Sequence, residues 1–271
     1  MIIRGVMPGL AAVAVPATRT DEFEVVWLDA SAIEQRAWLA EAVMVTFEQV
    51  PPVRRFSSYR GQRNFPGLWW FATTGEHVGY ESRLERDQLM ALDADPGVVG
   101  VASQPLWLHW TADQEQARRH APDFFARLED GTAVLIDVRA DDQITPEDAA
   151  AFAATKRACA LVGWAYRRVG VLDPMLAANL RWLSGYRHPR CLHPKGAAER
   201  AAALQRVFAR PTALLDGALA VGDPVAVLPV LFHLLWCGRL LVDLTAAPLG
   251  PGSLVQAAAA GGRGCGRAGC R

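Results

Sequence analysis

Short apolar runs broken by polar turns dominate the first two thirds of the chain. Phe23-Glu24-Val25-Val26-Trp27-Leu28 is β-rich and predicts a strand, whereas residues 31–46 carry Ala, Leu and Met at loosely helical spacing and predict a helix. A second helix is expected over residues 80–92, ended by Asp95-Pro96-Gly97. Residues 98–102 and 106–110 then read as strands separated by Ser103-Gln104-Pro105. Residues 124–128 and 133–138 form a second strand pair, and Asp130-Gly131 between them is a strong hairpin signal. Thr145 is a suitable N-cap with Pro146 in the first turn and Glu147 and Asp148 against the positive helix end. That helix should reach about residue 161, with Gly163 as its stop and residues 164–171 as a further strand. The order of helix, strand meander, helix and strand predicts a mixed α/β core.

Beyond Arg190 the periodicity turns helical, best over residues 198–209 and 225–236, and a short strand is expected at 240–244. This predicts a division into an N-terminal arm or extension (1–50), an α/β domain (51–190), a small helical or winged-helix-like domain (191–255) and a disordered Ala/Gly/Arg tail (256–271).

Composition narrows the function classes. With 271 residues and 51% hydrophobic positions the chain can bury a full core, which excludes a disordered protein. Its 28 basic and 28 acidic side chains cancel, so nucleic-acid binding would need local basic patches. Five scattered cysteines do not make a disulfide framework and fit a reducing cytoplasm. Apolar runs near residues 10–15 and 225–237 fall short of the roughly 20 residues of a membrane span, so a soluble protein without a membrane partner is expected.

One local patch stands out. Residues 51–70 carry Arg54, Arg55, Arg60 and Arg63 interleaved with Phe56, Tyr59, Phe65, Trp69 and Trp70, and no acid. They read either as a phosphate-contacting segment with stacking rings or as a loop whose Arg stems cover aromatic surface. His188, Cys191 and His193 suggest zinc, but no second ligand pair stands at ribbon spacing, so a basic linker is the better account.

Carboxylates supply the candidate chemistry. Asp123 follows Pro122, and Asp137 sits in Ile136-Asp137-Val138-Arg139 on the next strand. Strand alternation turns Asp137 and Arg139 to one side and Ile136 and Val138 into a core. Glu85 lies on the preceding helix with Glu81 one turn away. Two or three carboxylates and a carbonyl suffice to hold Mg²⁺, which can activate water for phosphodiester hydrolysis. His77 and His120 flank these motifs and read as DNA contacts or as solvated loop histidines. Gln104 reads as orienting the neighbouring strand or as satisfying buried backbone groups.

Tyr80-Glu81-Ser82-Arg83-Leu84-Glu85-Arg86-Asp87, Gln104-Pro105-Leu106, Ala121-Pro122-Asp123-Phe124 and Ile136-Asp137-Val138-Arg139, in this order, resemble the nuclease domain of TnsA-type transposon endonuclease subunits over roughly residues 54–190. The resemblance implies a restriction-endonuclease-like PD-(D/E)XK core with a mixed sheet flanked by helices. It implies Glu85, Asp123 and Asp137 as Mg²⁺ ligands, with Mn²⁺ as a substitute. Arg139 stands where such proteins usually hold Lys; it can clamp a phosphate but cannot accept a proton. Also implied are one-strand cleavage at double-stranded transposon ends, a TnsB-like DDE-type transposase as partner, an AAA+ transposition regulator as a further one, and a cytoplasmic, nucleoid-associated place in a prokaryote. On this reading Arg54, Arg55, Tyr59, Arg60, Arg63, His77 and Gln104 would contact DNA. Two alternatives share the fold: a non-catalytic DNA-binding adaptor, and a nuclease of defence or repair.

Overall fold

Phe23–Leu28 forms the expected strand β1, but the chain after it folds back instead of coiling. Asp29 is the cause: its Oδ1 accepts the Ser31 and Ile33 N–H groups at 2.9 and 3.0 Å, and its Oδ2 accepts the Gln35 side chain. Those bonds stabilise a turn with Ala32 at φ 59°, in competition with the first turn of a helix. β2 (Glu34–Trp38) then pairs antiparallel with β1, and its side chains alternate between the solvent and the sheet's inner face. The expected helix over 31–46 is therefore a strand followed by turns.

The computed structural model describes residues 22–54, 65–111 and 116–259. After β2 come a hairpin of β3 (Gly67–Phe71) and β4 (Glu76–Tyr80), then α1 (Arg83–Ala94). Next are β5 (Val98–Ser103), β6 (Trp107–Thr111), β7 (Ala117–His120), β8 (Phe124–Leu128) and β9 (Ala133–Val138). α2 (Pro146–Leu161) crosses over to β10 (Ala165–Val169), which lies parallel to β9, as a helical crossover permits. The result is an α/β fold with a mixed sheet, ordered β10-β9-β8-β5, and an antiparallel sheet, ordered β2-β1-β6-β7.

Helices cover both faces of the mixed sheet, so β9 is apolar on both sides, as a two-sided strand must be. Val134 and Ile136 pack with Leu89 and Leu92 of α1 and with Phe71 and Val78 of the β3–β4 hairpin. Ala133 and Leu135 pack with Ala154, Ala158 and Cys159 of α2 and with Phe23, Val25 and Leu108 of the antiparallel sheet. Residues 22–50 thus contribute to this core through Phe23, Leu39, Ala42 and Phe47. Residues 1–21 lie outside the described residues.

The C-terminal part is mainly helical: α3 (Pro174–Leu183), α4 (Ala197–Val207), β11 (Thr212–Ala213), α5 (Leu214–Val221), α6 (Pro224–Trp236), β12 (Leu240–Leu241) and β13 (Leu254–Ala257). Its core includes Met90 of α1, so it packs against that helix. Asn179, buried on α3, fastens the loop before β13, donating to the carbonyls of Leu244 and Ala247 and accepting from the Leu249 N–H. α3, α5, β11 and β13 have no counterpart in the sequence reading. Gln256 and Ala257, placed in the expected tail, pair with β12, and residues 260–271 lie outside the described residues. Among the described residues no helix is long and apolar enough to cross a membrane.

Candidate functional site

Two helix N-termini meet at the C-terminal end of β9. At the first, Ser82 caps α1: its Oγ accepts the Glu85 N–H at 3.1 Å and donates to Glu85 Oε1 at 2.8 Å, while the Glu81 N–H donates to Glu85 Oε2 at 2.8 Å. At the second, Thr145 and Asp148 form a reciprocal capping box on α2. Between them lies a polar cleft of about 470 Å³ whose lining includes Arg54, Glu81, Glu85, Arg119, His120, Asp123, Asp137, Arg139 and Asp148.

Backbone pairing places the two aspartates. Asp123 enters β8 with its Oδ2 accepting the Val138 N–H of β9 at 2.7 Å. Its own carbonyl accepts the Gln104 N–H at 2.9 Å. Gln104 holds φ 45°, accepts the Val53 N–H on its carbonyl and donates from Nε2 to Glu81 Oε2 at 3.0 Å. Being 1% exposed, Gln104 supports the frame of the cleft, and the DNA contact expected of it does not fit its burial.

Asp137 points to the α2 side of the sheet and is fully buried. Its Oδ1 lies 2.7 Å from His120 Nε2, and its Oδ2 accepts the Tyr166 hydroxyl at 2.8 Å. His120 is partly buried, its ring edge-on to Phe152 of α2. Burial, then the neighbouring Asp137 carboxylate, drive the Tyr166 phenol far above its ordinary range.

Burial raises the carboxyl of Asp123 well above the usual range, with the charges of Glu85 and Asp137 adding to it. Burial also raises Glu85 against the bonds from Glu81 and Ser82. The cleft thus gathers carboxylates whose charges repel one another, and a positive charge placed among them relieves that repulsion. Arg54 supplies part of that relief, bonding Glu81 Oε2 through Nη2 at 2.5 Å.

The fit to a metal is specific in one respect and loose in another. Among the described residues no three His, Cys, Asp or Glu side chains stand as a ready ligand group for one ion. Asp123 Oδ1, however, has no described protein partner, and the donors nearby are carboxylate oxygens. Mg²⁺ favours oxygen and is commonly held by one or two carboxylates while keeping several waters, so the donor set fits it.

The remaining sequence candidates are dispersed. Arg139 lines the cleft, but its Nη2 donates to Asp148 Oδ1 at 2.8 Å, tying it to the α2 cap. His77 is exposed on β4 and does not line the cleft. Arg55, Tyr59, Arg60 and Arg63 lie outside the described residues. His188 stacks on Trp70 with ring centroids 4.7 Å apart, and Arg187 lies over Trp69, so these two residues pack against β3. The sequence reading passed over Tyr166 and Arg119. Tyr166 joins the site through the β9–β10 register, which nothing local encodes; Arg119 sits next to His120 on β7, a strand the reading did not anticipate.

Comparison with protein-family models finds no match, and comparison with curated proteins finds none either.

Proposed function

We propose that this chain is a metal-dependent DNA endonuclease of the restriction-endonuclease-like class, acting as the strand-nicking subunit of a heteromeric transposase. The observation that carries the reading is the convergence of Glu85, Asp123 and Asp137 on one cleft, where Asp123 is strained by burial and by its two acidic neighbours. Supporting it is the mixed sheet β10-β9-β8-β5: α1 leads into β5, the chain visits the other sheet as β6 and β7 before returning as the antiparallel pair β8 and β9, and α2 crosses to the parallel strand β10. The TnsA-like motifs fall on α1, before β8 and on β9 of that order.

Asp123, with Glu85 and Asp137, would hold Mg²⁺, or Mn²⁺ in its place. A bound ion supplies Lewis-acid stabilisation of the phosphate and lowers the pKa of a bound water. The chain's own residues set the rest of the chemistry. Val138 N–H fixes Asp123, while His120 and Tyr166 fix Asp137. Neither Arg54 nor Arg139 can take a proton at working pH, so both act by charge and hydrogen bonding alone.

The test is a nicking assay with the purified chain, its DDE-type transposase partner, Mg²⁺ or Mn²⁺ and a transposon-end duplex. A nick that Asp123→Ala abolishes is the expected result; a wild-type chain that cuts nothing, or an undiminished Asp123→Ala, sinks the proposal. One observation favours the second reading, a non-catalytic DNA-binding adaptor: both carboxylate oxygens of Asp137 are already engaged, by His120 and Tyr166. An adaptor would show no carboxylate-dependent uptake of divalent ions.

A further inference from the structure

Three guanidinium groups line the cleft, from Arg54, Arg119 and Arg139, and two are already committed. Arg54 is bonded to Glu81, and Arg139 is bonded to Asp148. Freeing Arg139 would also disturb the capping box that starts α2, because Asp148 is shared between the two. Arg119 differs. Among the described residues no carboxylate pairs with its guanidinium and no side-chain hydrogen bond holds it; the guanidinium carbon lies 4.4 Å from the centre of the Trp107 ring.

That placement has a chemical meaning. A guanidinium held over an indole face is positioned by ring and charge while its edge N–H groups stay free to form a planar fork. Such a fork matches two phosphate oxygens, and Arg119 is exposed at the cleft rim, where an incoming backbone would arrive. A counter-charge is needed there. The lining carries the carboxylates of Glu81, Glu85, Asp123, Asp137 and Asp148 against three guanidinium groups, so before any cation binds an anionic substrate meets net repulsion.

We propose that Arg119, seated on Trp107, is the phosphate-binding residue of this cleft, taking the contact that the sequence pattern assigns to Arg139. The ligand class is a nucleic-acid phosphodiester. The inference rests on the nuclease reading above and adds to it the residue that receives the substrate backbone. It also assigns Trp107 as a positioning residue, whose removal frees Arg119 to sample other rotamers.

The test uses the full chain and measures binding of a transposon-end DNA duplex in Ca²⁺, over a range of salt, beside nicking kinetics on the same duplex in Mg²⁺ with the transposase partner present. Arg119→Ala should weaken duplex binding roughly tenfold and lower the salt-dependence slope by about one. Stabilisation of the protein by Mg²⁺ alone should be unchanged. Arg119→Lys should restore only part of the loss, since an ammonium neither stacks as a plane nor forms a fork, and Trp107→Leu should raise KM more than it lowers kcat. Arg139→Ala should reduce thermal stability with a smaller loss of duplex binding. If Arg119→Ala binds and nicks as wild type does, or if Arg139→Ala carries the larger binding loss, the assignment is overturned while the nuclease reading stands. A wild-type chain that neither binds the duplex nor cuts it overturns both.

Discussion

His120 Nε2 lies 2.7 Å from Asp137 Oδ1, and the Tyr166 hydroxyl occupies the other oxygen of the same carboxylate at 2.8 Å. A carboxylate whose side chain is 1% exposed needs such donors, because a buried charge without partners carries a large desolvation cost. Tyr166→Phe should therefore destabilise the fold by about 1–3 kcal/mol, the range for a lost bond to a charged group. His120→Ala should cost a comparable amount. The two donors serve one acceptor, so their effects should not add, and a double-mutant cycle followed by urea unfolding should return a coupling of about 0.5 kcal/mol or more. Strict additivity would mean that the donors do not share Asp137 in solution.

Arg139 and Asp148 separate a helix cap from an ion pair. Arg139 is 44% exposed on its side chain, so its removal should cost less than about 1 kcal/mol. Asp148→Ala also removes half of the capping box and should cost about 1 kcal/mol or somewhat more. Burial opposes ionisation of Asp148, but bonds from Thr145 and Arg139 outweigh it and hold the carboxyl below its usual range. With a lowered folded pKa, its stabilisation is present above the unfolded carboxylate pKa and lost as pH falls through the folded value. Thermal melts of wild type and Asp148→Ala should accordingly differ at neutral pH and converge in acid.

Gly217 on α5 offers a test of packing in the C-terminal part. A Cβ at that position would meet the Phe208 ring at 2.2 Å, and Phe208 is fully buried. Gly217→Ala should destabilise by about 1–3 kcal/mol despite the better helix propensity of alanine. A lower urea midpoint is the expected readout. A stabilised protein would show that Phe208 can leave its site.

Where local chemistry dictated structure, the sequence was readable. Asp130-Gly131 closes the β8–β9 hairpin with Gly131 at φ 88°, and the Thr145 cap, Pro146 and Gly163 at φ 72° bound α2 as expected. The gathering of Glu85, Asp123 and Asp137 on one cleft was legible for the same reason, since each stands at a cap or a strand end beside a short motif. What failed depended on competition or on distance. Residues 31–46 have helical composition, yet the Asp29 side chain captures the backbone first. The partners of Asp137 come from β7 and β10, and those pairings are set by packing of whole sheets. Arg139 could be placed near the cleft by alternation, but its choice of Asp148 over a ligand site depends on how α2 approaches β9.

Asp123 should limit the stability of the metal-free protein. Burial, with the charges of Glu85 and Asp137, raises its folded carboxyl well above the ordinary range, and Glu85 is raised by burial as well. For an acid with a raised folded pKa the sign is fixed. Below the unfolded pKa both states are protonated and there is no penalty; as pH rises through the folded pKa the native state must ionise against repulsion, and stability is lost. Asp123→Asn keeps an oxygen for the Val138 N–H and removes the charge, so at neutral pH and without divalent ions it should stabilise by about 0.5–2 kcal/mol, as relief of a strained functional site commonly does. The gain should shrink in acid, where wild-type Asp123 is itself neutral. On the proposed function divalent ions should invert the ranking: Mg²⁺ or Mn²⁺ should bind the folded carboxylates, raise the wild-type Tm by mass action and leave Asp123→Asn almost unmoved. Melts with and without Mg²⁺ at neutral and acidic pH test both halves. A variant less stable than wild type in chelator, or equally stabilised by Mg²⁺, would remove Asp123 from the metal-binding role and leave its burial as packing alone.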